Sequence, residues 1–240
     1  MRNLMKTQSH VDFSDYTLII PSVSVGNIPQ LTIDLLITTY ELERLSAIWH
    51  PAIVPCVGSD PYDSNKSDIC TACELYLNEQ LKLAVIQLRS TIEKKLALNF
   101  FNDLRDVILH LGFKCTFVLA SSFDYELHNI SGEKFYFLSN ADCNDIMRNC
   151  SVKPLQPDMN GKYYLNGDGF AVKIYQVIQE STTCTLLVKY ASEGDNRPDA
   201  LMMLRRLSVV MGLKEPLDEN IKCPSSWRFV FGGPPPQGLY

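Results

Sequence analysis

The chain has 240 residues, 46% of them apolar and 20% charged, with a formal net charge of −5 from 22 Lys and Arg against 27 Asp and Glu. This composition excludes disordered and collagen-like chains. The acidic balance, with no long run of like charge, argues against a nucleic-acid binder held by a basic face and against a polybasic membrane patch. No stretch of about eighteen apolar residues is present, which excludes a transmembrane helix, and residues 1–14 are mixed and polar, without the apolar core of a signal peptide.

A chain of this length buries roughly 70% of its unfolded surface, so a core needs no disulfide or metal staples. The eight cysteines are then expected as buried thiols in a reducing compartment, cytoplasm and nucleus. The sequons at Asn65, Asn129 and Asn149 are read as chance matches.

In chain order, Tyr16–Pro21 is a continuously apolar run that suits a strand buried on both faces. Ser24–Asn27 reads as a turn, with Asn27 as helix cap and Pro29 in the first helical turn. An amphipathic helix is predicted over Leu31–Leu45. Cys56–Tyr62 reads as a loop, and Leu81–Leu88 as a second buried strand. The helix Phe100–Leu111 has Gly112 placed to end it in a left-handed conformation. Lys114–Ala120 is a third strand and Lys134–Leu138 a fourth, before a helix near Asp142–Asn149. Pro154–Gly169 is rich in hairpin and loop residues.

Thr182–Tyr190 is the last long strand, followed by the turn at Glu193–Pro198 and the helix Pro198–Met211, stopped by Gly212. This unit repeats the first one, with Gly, Asn and then Pro at the helix entry. Strands alternating with helices predict an α/β fold, three layers around a largely parallel sheet. We expect one domain over residues 1–231, with 1–14 mobile. Residues 232–240, Gly-Gly-Pro-Pro-Pro-Gln-Gly-Leu-Tyr, read as a projecting Gly/Pro-rich tail.

Few residues carry a chemical signature. Cys70 and Cys73 have CxxC spacing but no second ligand pair, so packing is preferred over zinc or redox roles. The Gly26 turn could cradle an anion, yet it lacks the further glycines of a dinucleotide or P-loop motif. Glu193, Asp195 and Asp199 could bind Mg²⁺ or act as acid and base, although acids at a helix entry also favour the dipole. The four histidines are scattered, and Ser121-Ser122 is the remaining nucleophile position. No catalytic, metal or cofactor site is therefore assigned. The alternative held open is a phosphorylase-like α/β enzyme acting on a small phosphate-containing or nucleoside substrate.

Three segments in order, Tyr16–Asn27, Glu193–Leu201 and Pro224–Arg228, resemble the proteasome assembly chaperone 2 family, and the spacing agrees over most of the chain. The resemblance implies a non-catalytic factor, with a fold related to nucleoside phosphorylases but without their catalytic residues. It implies a heterodimer with proteasome assembly chaperone 1 that binds 20S proteasome α-subunits, promotes α-ring assembly and prevents off-pathway α-ring dimers. It also makes Leu239 and Tyr240 candidate α-ring contacts, in a hydrophobic–Tyr ending that lacks a further residue. Trp227, Arg228, Glu193, Asp195 and Asp199 become candidates for the partner interface or for structural roles.

Overall fold

The computed structural model describes residues 11–63, 67–127 and 134–229. The two ends, including the expected tail at 232–240 with Leu239 and Tyr240, lie outside the described residues.

Runs without polar alternation are expected inside a sheet covered on both faces, and four such strands, starting at Leu83, Thr17, Cys115 and Cys184, stand side by side. Strand β1 (Thr17–Pro21) leads through a 3₁₀ turn into helix α1 (Ile28–Thr39). Strands β2 (Glu43–Ala47), β3 (Val57–Ser59), β4 (Ile69–Thr71), β5 (Cys73–Asn78) and β6 (Leu83–Leu88) follow, then helix α2 (Ala97–Leu111) and β7 (Cys115–Phe123). The remainder is β8 (Phe135–Ser139), α3 (Asn144–Asn149), β9 (Lys153–Pro154), α4 (Ala171–Ile178), β10 (Cys184–Ala191) and α5 (Arg197–Val210).

The large sheet runs β2-β5-β6-β1-β7-β10-β8-β9. Its centre is parallel: Thr17 lies opposite both Leu83 and Cys115, and Leu187 opposite Leu119. β5 and β2 extend one side antiparallel; β8 joins β10 antiparallel on the other, and β9 runs parallel to β8. Four of the seven ladders are parallel, so the sheet is mixed but mostly parallel, as expected. β3 and β4 form a separate ribbon.

Successive side chains of β1 point to opposite faces, and each face has its own core. Leu18 and Ile20 pack with Phe100, Phe101 and Ile174 from α2 and α4, whereas Ile19 packs with Leu36 and Leu204 from α1 and α5. The result is the expected three-layer arrangement.

Several elements differ from the sequence-based expectation, among them Val57–Ser59, a strand inside the expected loop Cys56–Tyr62. The first helix ends at Thr39 rather than Leu45: Glu41 takes φ 51°, and Leu42 N–H closes the end on Ile37 O. Glu43–Ala47 then turns back as β2, pairing antiparallel with β5 from Glu43 opposite Leu77 to Ala47 opposite Glu74. Helix α1 is also less amphipathic than expected. It packs against both the sheet and the neighbouring α5, so Thr32 and Asp34 are buried with the aliphatic residues. Finally, β5 is a full six-residue strand, and α4 is a helix that no expectation covered. Asp168 starts α4 by accepting from Phe170 N at 3.1 Å and Val172 N at 3.0 Å. The expected side-chain cap by Asn27 is absent, since that residue sits at φ 52° and makes no capping bond, while Gly112 and Gly212 stop their helices at φ 73° as expected.

Candidate functional site

The two similar strand–turn–helix units meet. α1 packs along α5, and their entry turns touch where Gly26, at φ 64°, faces Asn196. The turn at Gly26 is therefore filled by a side chain rather than left open to an anion.

The three carboxylates beyond β10 take separate roles. Asp199 faces inward: its Oδ1 pairs with Lys189 Nζ at 3.0 Å, and Oδ2 accepts from Asn196 Nδ2 at 3.2 Å. Lys189 is 3% exposed, donates to Tyr190 O at 2.9 Å, and lies over the Phe135 ring at 5.3 Å. A lone buried ammonium is costly, so Asp199 neutralises a charge of the core. Asp195 instead accepts two bonds from Arg197, at 2.9 and 2.8 Å, and those bonds hold its carboxyl below the usual range. Glu193 is exposed. Among the described residues no group of three His, Cys, Asp or Glu could hold a metal ion.

Asp195 and Arg197 form one wall of an open groove of about 420 Å³. Pro198 and Leu201 make its floor, and Cys223, Pro224, Trp227 and Arg228 the opposite wall. Three of the five sequence candidates with described positions are thus brought together: Asp195, Trp227 and Arg228. Glu193 and Asp199 are not part of it. Trp227 is half-buried on the α1–α5 core. The segment carrying it is tied down along its length: Lys222 N donates to Thr39 Oγ1 at 3.2 Å, and its ammonium pairs with Glu41. Further on, Ser225 Oγ and Ser226 N both donate to Pro61 O, at 3.1 and 3.0 Å.

Pro61 is held in turn by a buried network that sequence reasoning missed. Asp34 Oδ1 accepts from Tyr62 Oη at 2.7 Å, Gln87 Nε2 at 2.6 Å and Arg89 at 2.9 Å. Burial pushes the Tyr62 hydroxyl well above its usual range. The available signals were an acid in an otherwise apolar helix and an arginine at the end of an apolar strand.

The carboxyl ends of parallel strands are where α/β folds commonly hold ligands. Here that crevice is occupied. A β-carbon on Gly169 would stand 2.0 Å from Val23 O, so the segment around it lies directly on the turn after β1. Ser121 is buried, hydrogen-bonded to Ser24 Oγ at 2.8 Å and donating to Val25 O at 2.5 Å. Cys70 and Cys73 belong to different strands, with their thiols pushed up by burial, and all eight cysteines are free. His50 is buried against Asp103 at 3.3 Å, and His110 is exposed at the end of α2; His10 and His128 fall outside the described residues.

Proteasome assembly chaperone 2 of Xenopus tropicalis is 31% identical, covering 97% of this chain and 98% of that protein. The Homo sapiens protein of the same name is 28% identical over the same shares. Among solved structures, Pyrococcus furiosus PbaA, described as an archaeal homologue of proteasome-assembly chaperone, superposes with a TM-score of 0.68 at 10% identity, covering 86% of each chain. PbaB of the same organism, described as an archaeal proteasome activator, gives 0.68 at 12% identity over 90% of this chain and 91% of that one. At those identities the structures establish the shared fold. The PAC2 family model matches residues 18–222, from the first strand to the segment that carries Trp227, and the chain belongs to the PAC2 family.

Proposed function

We propose that this chain is a proteasome assembly chaperone without catalytic activity, working as a heterodimer with proteasome assembly chaperone 1. In this reading it binds 20S α-subunits, promotes α-ring assembly and prevents off-pathway α-ring dimers. One observation carries the proposal: proteins named proteasome assembly chaperone 2 align with this chain almost end to end at about 30% identity. The close packing of the Gly169 segment on the turn after β1 adds support, since it fills space at the strand ends that a phosphorylase-like enzyme would use for substrate. The likeness to the nucleoside phosphorylase fold belongs to the same inference. So does a place in cytoplasm and nucleus, on the ground that all eight cysteines are free thiols.

The test is a pull-down of the tagged full chain from its own cells beside a version lacking Leu239 and Tyr240. Recovery of proteasome assembly chaperone 1 and free α-subunits, with little mature core particle, is expected. Selective loss of the α-subunits on truncation would make the tail a ring contact. Recovery of neither protein by the full chain would overturn the proposal.

A further inference from the structure

The outer face of α5 carries apolar side chains at Pro198, Leu201, Met202 and Val209, with Arg205 and Arg206 between them, so its amino-terminal end is apolar where a solvated helix would be polar. Ala200, Met203, Leu204 and Leu207 are buried against the sheet and α1. On the far side, Met202 and Val209 remain 45% and 40% exposed. Pro198, Leu201 and Met202 lie together at helical spacing as a short apolar stripe, and Arg205 and Arg206 separate it from Val209. The stripe borders the Trp227 groove; further along, a second depression of about 220 Å³ is lined by Met202 and Val209 together with Arg205, Arg206 and Glu215. A strip of this kind, with a tryptophan on one wall and arginine beside it, has the make-up of a protein-binding anchor site.

Its charges select the occupant. Asp195 is neutralised by two bonds from Arg197, and Asp218 is paired with Arg205. Arg228 is exposed at the groove wall and has no ion-pair or hydrogen-bond partner among the described residues. The uncompensated charge of the groove is thus a guanidinium, which favours a carboxylate and can hold it through two parallel bonds.

We infer that the Trp227 groove and the outer stripe of α5 seat a segment of the partner chaperone that presents aliphatic side chains next to a side-chain carboxylate. This rests on the heterodimer reading above. The carboxylate meets Arg228, and the aliphatic groups cover Pro198, Leu201 and Met202.

The experiment uses the full chain produced together with proteasome assembly chaperone 1. A photo-crosslinking residue replaces Met202 in one sample and Trp49, 72% exposed near the opposite edge of the sheet, in another. Crosslinks from position 202 to a partner segment containing both aliphatic and acidic residues are expected. Arg228→Glu and Met202→Glu, both at exposed positions that leave the core intact, should each weaken the complex about tenfold or more, whereas Arg228→Lys should stay within about threefold. A normal complex that crosslinks from position 49 and not from 202, or that tolerates Arg228→Glu, overturns the assignment of this face and leaves the heterodimer standing. Failure of the unsubstituted chains to associate removes the heterodimer and this inference together.

Discussion

Gly26 and Asn196 are in contact across the two helix entries: a β-carbon built on Gly26 would stand 2.4 Å from Asn196 Oδ1. Asn196 cannot easily withdraw, because its Nδ2 donates to Ser192 O at 2.9 Å and to Asp199 at 3.2 Å. That makes one glycine responsible both for a left-handed turn at φ 64° and for the close approach of α1 to α5. Gly26→Ala should therefore destabilise the fold by about 2–3 kcal/mol, combining backbone strain with the displaced amide. Urea denaturation measures it; a loss below about 0.5 kcal/mol would mean that Asn196 moves aside freely.

The buried Asp34–Arg89 pair carries a second prediction. Arg89→Met leaves an uncompensated carboxylate on a helix facing the core, at a cost of about 3–5 kcal/mol. Tyr62→Phe removes one hydroxyl donor to Asp34 and should cost about 1–2 kcal/mol. The second change has a further signature, because the carbonyl of neighbouring Pro61 holds the Trp227 segment. Hydrogen exchange at the Ser226 amide should quicken in Tyr62→Phe while the amides of β7 stay protected. Unaltered exchange at Ser226 would separate the network from the groove.

Much of this molecule is readable in its sequence wherever local pattern and burial agree. The runs at Thr17–Pro21, Leu83–Leu88 and Cys184–Ala191 are mostly apolar, without polar alternation, because both sheet faces are covered, and they stand out for that reason. Gly112 and Gly212 mark their helix ends through a requirement for positive φ. Leu42 and Leu45 misled because a spacing of three fits a helix, whereas the positive φ of Glu41 has already ended the helix and Glu43 pairs with Leu77 in a strand. Of the surface, the sequence shows that Trp227 and Arg228 lie together. It does not show that Asp195 reaches the same groove while Asp199, four residues on, turns inward to Lys189. That division depends on a buried lysine in β10 whose partner is set by tertiary packing. Lys189 sits within an otherwise apolar strand and was the signal available.

Asp199 and Asp195 should consequently respond differently to substitution. Asp199→Ala strands the buried Lys189 ammonium and should cost about 3–5 kcal/mol. Asp195→Ala, at an exposed pair, should change stability by less than about 1 kcal/mol. Thermal denaturation of the two variants side by side checks the ordering; equal losses would contradict it.

Thiol reactivity offers a map of burial, because the thiolate is the attacking species. Cys56 and Cys223 are exposed, whereas Cys73 and Cys184 are buried. Burial pushes the Cys184 thiol up to about 12 and that of Cys73 higher still. Iodoacetamide at pH 8 should label Cys56 and Cys223 first, with Cys73 and Cys184 modified only on unfolding. Peptide mass spectrometry over a time course reads the order, and early labelling of Cys184 would place β10 nearer solvent than described.

Two aspartates should give opposite pH dependences. Burial raises the Asp168 carboxyl above its ordinary range, even though two backbone amides at the start of α4 partly offset this. Its folded state binds the proton more tightly than its unfolded state, so its contribution falls as pH rises from about 3.9, the unfolded value, through the raised folded value. Asp124 is lowered instead, by hydrogen bonds from Lys134 at 2.6 Å and Ser192 at 2.7 Å. Its stabilisation is present above about 3.9 and is lost as pH falls through the lowered folded value. Urea unfolding from pH 3 to 7 should therefore show the original chain gaining on Asp168→Asn as pH falls, and losing ground to Asp124→Asn over the same range. Parallel trends for the two variants would mean that one of these carboxylates sits in a different environment, and Asp168, whose shift comes from burial against α4, would be the one to re-examine by its own titration in the folded protein.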